Sequence, residues 1–137
     1  MRRTATITLH WISLLALVLL VAGGPLPVLS WLFGGAGLAL CVLAITHGLM
    51  NGPGPRLTGT LRVAHPWLSR AMYAALGATA AATLWHVAIT PVQDIRQYHF
   101  YLMSASSLHA IFHLWRHTAL GDGALRRITP TSMHGML

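Results

Sequence analysis

The sequence contains no lysine and no glutamate, and charged residues make up 8% of its 137 positions. A soluble domain usually carries about 25% charged residues, so most of this surface is not expected to face water. The two acids, Asp94 and Asp122, form no carboxylate pair for acid–base catalysis, and no phosphate-binding or dinucleotide-binding motif is present. The single cysteine, Cys41, excludes an internal disulfide and a cysteine-based metal centre. What is abundant is apolar sequence, together with nine arginines and nine histidines.

Four long apolar segments organise the chain. A transmembrane helix needs roughly 20 mostly apolar residues, and Gly- and Pro-rich turns separate four segments of this kind. The predicted spans run from about Ile7 to Ala22, Leu26 to Leu49, Ala71 to Ile89 and Tyr98 to Leu120. A cleaved signal peptide is the alternative interpretation of the first segment, which we expect to be retained. We expect one domain over residues 1–137.

The arginines predict the orientation of these spans. Eight of the nine lie before the first span, between the second and third, or around the end of the fourth, and only Arg96 lies on the other side. Because positive residues concentrate in cytoplasmic loops, the predicted fold is an all-α transmembrane four-helix bundle with both termini cytoplasmic. The arginines lie between lipid-facing runs and form no single basic stripe, so nucleic-acid binding is not expected.

Two histidines lie at matching depth near the cytoplasmic side. His10 is seven residues inside Arg3, and His109 is seven residues before Arg116, which places each roughly 10 Å from the charged layer. Two imidazoles at one depth on two helices can supply both axial ligands of a haem iron, and arginines such as Arg126 can pair with its propionates. The alternative is local hydrogen bonding or packing of each histidine within the bundle.

Further histidines leave other possibilities open. His113 shares a helical face with His109 and is the rival axial ligand. His47, at the cytoplasmic end of the second span, is predicted to reach the interface or to contact haem or quinone, whereas His65 in the basic loop is predicted to be solvated. In the outer half, His86 and His99 lie at similar depth. They are candidates for a second haem, a quinone pocket or contacts with lipid headgroups.

Parts of the sequence resemble bacterial cytochrome b561 proteins. The matching residues are Leu108-His109-Ala110 through His117, Asp122, Leu125-Arg126-Arg127 and Pro130 at the end of the fourth helix, Leu9-His10-Trp11 in the first, and Arg70-Ala71-Met72-Tyr73 at the start of the third. The resemblance implies four helices in the bacterial inner membrane, His10 and His109 as ligands of a cytoplasm-side haem b, and electron exchange with ubiquinone. One branch of the family passes electrons from superoxide to quinone.

The sequence departs from that family in the outer half. The positions that would hold the outer haem are Phe33 and Ile95, and Ser69 stands where the family often has histidine. One haem is therefore expected, with a second only if His86 and His99 rebuild the site. Two functions follow: a quinone-linked haem protein that acts as an oxidoreductase with a redox partner, or a non-catalytic anchor subunit of a larger respiratory or photosynthetic complex with one haem or none.

Overall fold

The computed structural model describes residues 2–50 and 52–136, and every regular element in them is helical. The long helices are α1 (Arg2–Gly23), α2 (Pro27–His47), α3 (Gly59–Ala88) and α4 (Ile95–Thr118), followed by two short 3₁₀ helices, Ala124–Arg127 and Thr131–Met136. The breaks between helices fall at the predicted Gly- and Pro-containing turns. The all-α prediction with four long helices is confirmed.

Helix α3 is longer than its apolar segment. It has 30 residues and contains Pro66 in its interior, so it starts well before the predicted span at Ala71. At 1.5 Å per residue it is about 45 Å long, whereas the apolar core of a bilayer is about 30 Å thick. The first three turns of α3 therefore extend past the segment that hydropathy identifies.

The core forms where all four helices meet. Its fully buried side chains are Ala16, Leu17 and Leu20 of α1, Phe33 of α2, Ala80 of α3 and Leu102 of α4. Burial of each large apolar side chain contributes roughly 1.5–3 kcal/mol. Helices α2 and α3 approach especially closely at Gly34, where an added Cβ atom would collide with the Leu84 side chain. Small residues at such positions are typical of tightly packed helix pairs.

The outward faces of the bundle are apolar. Helices α1 and α2 are long and apolar enough to cross a membrane, and most of their side chains lie outside the core, unlike those of a core helix in a soluble protein. Val28 is 71% exposed and Ile45 is 82% exposed. Helices α3 and α4 also expose large apolar side chains, including Trp85 and Leu108. Extended apolar surface of this kind marks a region that contacts lipid or protein.

One end of the bundle is closed by arginine–carbonyl hydrogen bonds. This arginine-rich end holds Arg2, Arg3, Arg56, Arg62, Arg70, Arg116, Arg126 and Arg127. Arg3 Nη2 donates to the carbonyls of Arg126 and Thr129 at 3.0 and 2.9 Å, and Trp11 Nε1 donates to the Ile128 carbonyl at 3.0 Å. These bonds fix the C-terminal segment against the start of α1. They bring Arg126 to the end of the bundle where His10 and His109 lie.

Candidate functional site

His10 and His109 are the inner histidine pair, carried by α1 and α4. Both side chains are half-buried, and the two helices that carry them contact each other. The ring of His109 also lies against that of His113, with centroids 4.4 Å apart and an angle of 62° between the ring planes. His113 is buried. The structure therefore brings His113 into the same cluster as the inner pair, and the choice between His109 and His113 as ligand stays open.

His65 joins this cluster from α3, which corrects the prediction that it is solvated. Its side chain is 1% exposed, and its ring lies edge-on to that of His113 with centroids 6.1 Å apart. The reason is the early start of α3. Because residue 65 lies on a regular helix and not in a loop, it continues the buried face formed by Ser69, Thr79 and Thr83 farther along.

Arg116 connects the histidines to the surrounding loops. Its side chain is fully buried and pairs with the equally buried Asp122, with Nε donating to Oδ2 at 2.7 Å and Nη2 lying 2.5 Å from the same oxygen. Nη1 donates to His65 Nε2 at 2.9 Å, and Nη2 donates to the Pro53 carbonyl at 2.8 Å. We call these four residues, Arg116, Asp122, His65 and Pro53, the Arg116 cluster. Every nitrogen of the guanidinium has a partner.

Two further contacts complete the Arg116 cluster. Asp122 Oδ1 accepts from the Ala124 amide at 2.9 Å, which fixes the first 3₁₀ helix to the end of α4. Gly54 has φ +73°, and a Cβ there would lie 2.9 Å from Arg116 Nη2. A side chain at this position would meet both a strained backbone and the guanidinium. Glycine at 54 therefore allows the loop to close over Arg116.

The hydrogen bond from Arg116 determines the tautomer of His65. A guanidinium only donates, so His65 Nε2 must be the accepting nitrogen and Nδ1 carries the proton. Burial, followed by the charges of Arg116 and Arg127, lowers the pKa of His65, while Asp122 raises it. The net effect keeps this imidazole neutral. Its Nδ1 is buried and has no hydrogen-bond partner.

The outer histidines are both engaged by the protein. His99 is fully buried, and its Nε2 lies 2.8 Å from Thr83 Oγ1. Because the Thr83 hydroxyl donates to the Thr79 carbonyl at 2.7 Å, it accepts from His99, which places the proton of His99 on Nε2. His86 Nδ1 accepts from the Val92 amide at 2.9 Å and so stabilises the turn between α3 and α4.

Replacement of Thr83 by valine tests the outer hydrogen bond. The variant keeps the side-chain shape but leaves the buried Nε2–H of His99 unpaired, and we expect a loss of about 1–3 kcal/mol in the free energy of unfolding. Thermal or denaturant unfolding in detergent, followed by circular dichroism, measures the change. Thr46→Val is a matched control, because Thr46 makes the same pair of contacts, to the Val42 carbonyl and His47, on the surface. It should change stability by no more than about 0.5 kcal/mol.

The remaining predicted residues lie at the arginine-rich end but outside the histidine cluster. His47 is exposed at the end of α2 and its Nδ1 lies 2.7 Å from Thr46 Oγ1. Arg126 is exposed on the first 3₁₀ helix, with its carbonyl bound by Arg3. His117 is half-buried near the end of α4.

Serine side chains lie one helical turn from each of the inner histidines, where a flat ring held between the two imidazoles would need small neighbours. Ser13 lies one turn beyond His10 toward the bundle centre, and Ser106 lies one turn beyond His109 in the same direction. Ser13 Oγ is buried and has no hydrogen-bond partner. Across residues 2–50 and 52–136, no group of three or more His, Cys, Asp or Glu side chains is suited to hold a metal ion.

The fold and the site together define a class: an all-helical protein with at least two helices suited to crossing a membrane and a buried histidine–arginine cluster at one end. No protein-family model, curated protein or solved structure matches the chain.

Proposed function

We propose that the chain is a four-span protein of a bacterial inner membrane that holds a b-type haem between His10 and His109 and exchanges electrons with the quinone pool. The observation that carries this proposal is the inner histidine pair, half-buried on α1 and α4 and flanked by small residues, at the end of the bundle with eight arginines. The resemblance to bacterial cytochrome b561 proteins supports the same ligands.

The surface supports a membrane location for all four helices. Apolar side chains point outward from α3 and α4 as well as from α1 and α2. Eight of nine arginines lie at one end, which the proposal places in the cytoplasm with both termini. The polar residues that lower the hydropathy of α3 and α4 include several that face inward, among them Thr83, His99, His113 and Arg116. These inward-facing residues do not oppose insertion as they would on the lipid side.

A haem would supply one-electron redox chemistry, and the chain supplies its ligands and surroundings. His10 and His109 would hold the iron, and burial would exclude water from it. The arginine-rich end would stabilise the negative propionates through charge-assisted hydrogen bonds. Residues around each imidazole would set its orientation, which in turn influences the reduction potential.

A groove at the opposite end offers a place for a quinone head group. It has a volume of about 430 Å³ and is lined by Val21, Arg96, Gln97, Phe100 and Tyr101. The groove is open, since four of these five side chains are exposed. Arg96 and Gln97 carry donors suited to the carbonyl oxygens of a quinone, and the two aromatic rings suit its flat ring. Phe100 is nine residues from His109, roughly 14 Å along the axis of α4.

Reduction by a quinol tests the redox proposal. Haem-loaded protein mixed anaerobically with decylubiquinol should become reduced, with one quinol giving two electrons to the haems of two chains and releasing two protons. Replacement of both Arg96 and Gln97 by leucine should slow this reaction and leave reduction by dithionite unchanged. A haem that dithionite reduces but quinol does not would contradict quinone exchange. A specific form of the proposal is electron transfer from superoxide to ubiquinone. Its test uses generated superoxide, instead of a quinol, as the electron donor.

A second candidate is a non-catalytic membrane subunit of a larger redox complex. The observation that favours it is the outer half, where His86 and His99 are hydrogen-bonded to Val92 and Thr83, and Phe33 packs edge-on against His99 at 5.7 Å. In this candidate the outer half holds no second haem, so electrons would have a longer way across the bilayer. Haem that resists reduction by quinol would favour this candidate.

A further inference from the structure

Arg70 differs from most arginines at the arginine-rich end, because its guanidinium takes no part in closing the bundle. Six of the others donate hydrogen bonds to backbone carbonyl groups: Arg2, Arg3, Arg56, Arg62, Arg116 and Arg127. Across residues 2–50 and 52–136, no hydrogen bond or ion pair involves Arg70; its Cζ lies over the Trp67 ring, 5.2 Å from the centroid. The fold therefore leaves the N–H groups of Arg70 unused.

Trp67 and Arg70, which we call the Trp67–Arg70 pair, are exposed on the outward side of α3. Trp67 is 68% exposed, and Arg70 is exposed as well. Attraction between the cation and the face of the indole restricts the guanidinium, but it does not use the N–H donors of either side chain. The pair thus presents an aromatic ring, a positive charge and several donors to whatever lies outside the bundle.

The spacing of two tryptophans places this pair at one face of the apolar layer. Trp67 and Trp85 are 18 residues apart in α3, which is about five turns, so they project from the same side of the helix and lie roughly 27 Å apart. Trp85 is also exposed. The apolar core of a bilayer is about 30 Å thick, and tryptophans concentrate at its two faces. The Trp67–Arg70 pair therefore lies at the level of lipid headgroups on the arginine-rich side.

Apolar surface flanks the pair along the helix. Val63, one turn nearer the start of α3 and on the same side, is also exposed. In the other direction this side of α3 continues to Trp85. Because the pair lies within an apolar face and not at its edge, the surface favours a lipid over an acidic protein as its partner.

The acids of the chain leave Arg70 without a counter-charge. The chain has two acidic residues and a formal net charge of +7. Asp122 is paired with the buried Arg116, and Asp94 precedes α4 at the opposite end of the bundle. A partner that complements Arg70 is therefore negative, and a guanidinium matches the oxygens of a phosphate group especially well.

We propose that the Trp67–Arg70 pair binds the phosphate of an anionic phospholipid in the cytoplasmic leaflet. This inference rests on the membrane location in the proposed function and does not depend on haem. Side chains of a helix tilt toward its start, so Arg70 reaches back over Trp67 toward the cytoplasm, where the phosphate layer lies. Arg70 donates to the phosphate oxygens, and Trp67 holds the guanidinium in place.

Competition between two lipids tests this proposal. Full-length protein in mild detergent is incubated with equal amounts of phosphatidylglycerol and phosphatidylcholine that carry the same acyl chains, and native mass spectrometry counts the lipids that remain bound. The wild-type chain should prefer phosphatidylglycerol. Arg70→Gln should lower the affinity for phosphatidylglycerol by about fivefold, the usual effect of one arginine near an anionic lipid surface, and leave the binding of phosphatidylcholine unchanged.

Two further variants separate this site from the general charge of the arginine-rich end. Arg62→Gln removes the same charge from the same helix, but Arg62 already donates to the Gly54 carbonyl at 2.7 Å, so the lipid preference should remain. Trp67→Leu keeps an apolar side chain and removes the cation–π contact. It should lower the affinity for phosphatidylglycerol by about twofold.

Several results would overturn the inference. Equal losses in Arg70→Gln and Arg62→Gln would assign the preference to diffuse charge. Unchanged preference in Arg70→Gln or Trp67→Leu, or equal binding of the two lipids by the wild-type chain, would also overturn it, as would Arg70-dependent binding of polyglutamate without a lipid preference. These results leave the haem proposal standing. Recovery of the chain in the soluble fraction of cells would overturn the membrane location in the proposed function, and this inference with it.

Discussion

Asp122→Asn is expected to lower the free energy of unfolding by about 3–5 kcal/mol, the usual cost of breaking a buried ion pair by removing one charge. The Arg116 and Asp122 side chains are both fully buried, so the arginine would remain charged without a counter-charge. Asparagine can still accept from the Ala124 amide, but its NH₂ group or a neutral oxygen would face Arg116 Nε. Chemical or thermal unfolding in detergent, monitored by circular dichroism, measures the loss.

The other acid of the chain provides the control for this substitution. Asp94 precedes α4, is exposed and makes no side-chain capping bond. It has φ 54°, a conformation that asparagine also tolerates. Asp94→Asn should therefore change stability by no more than about 0.5 kcal/mol. Equal effects of the two substitutions would show that the Arg116–Asp122 pair does not stabilise the bundle.

Loss of Asp122 should also affect the site. Arg116 holds His65 Nε2 and the Pro53 carbonyl only while its guanidinium is fixed. In Asp122→Asn we therefore expect weaker haemin uptake in addition to lower stability, because the end of α4 near His109 and His113 would lose contacts that fix it. A destabilised variant with unchanged haemin affinity would separate the structural role of the ion pair from its role in the site.

His10→Ala and His109→Ala are each expected to abolish stable haem binding. Removal of a residue that merely supports a metal ligand typically costs 10–100-fold in affinity, so removal of an axial ligand should cost more than that. The bound haem of purified variants, measured as the pyridine adduct, is the readout. His134→Ala, in the C-terminal segment, should retain the wild-type amount.

His113→Ala decides between the two rival ligands on α4. The rings of His109 and His113 are 4.4 Å apart, so either one lies near the same iron position. If His109 is the ligand, His113→Ala should retain haem with a shifted spectrum. Loss of haem in His113→Ala together with retention in His109→Ala would transfer the role to His113. Full haem in both His10→Ala and His109→Ala would contradict the assignment of the inner pair.

Much of the helical fold could be predicted because apolar runs and Gly–Pro turns are local signals. The four long helices follow from them, and their breaks fall where expected. The start of α3 did not follow, because Arg62, His65 and Arg70 reduce the hydropathy of its first turns. Hydropathy reports which residues suit a bilayer, whereas the helix continues wherever backbone hydrogen bonding and packing permit. The membrane location of α3 and α4 stays a prediction.

The contacts of the site were harder to predict because they join distant parts of the chain. The Arg116–His65 bond spans 51 residues, and no local pattern reveals it. A helical stripe was nevertheless present in the sequence: His65, Ser69 and Thr83 fall on one side of α3. Extension of the helix to Gly59 would have predicted a buried His65. Likewise, Asp122 is an isolated acid shortly after a helix whose last turn contains Arg116, and this spacing suggests an ion pair between them.

The central claim is that His10 and His109 hold a haem, and the haem content of the purified full-length chain tests it most directly. Protein made in haem-sufficient cells and isolated in mild detergent should contain about one b-type haem per chain, with the low-spin spectrum of two imidazole ligands. A chain that is folded and helical by circular dichroism, yet contains no haem and takes up none when haemin is added, would contradict the claim.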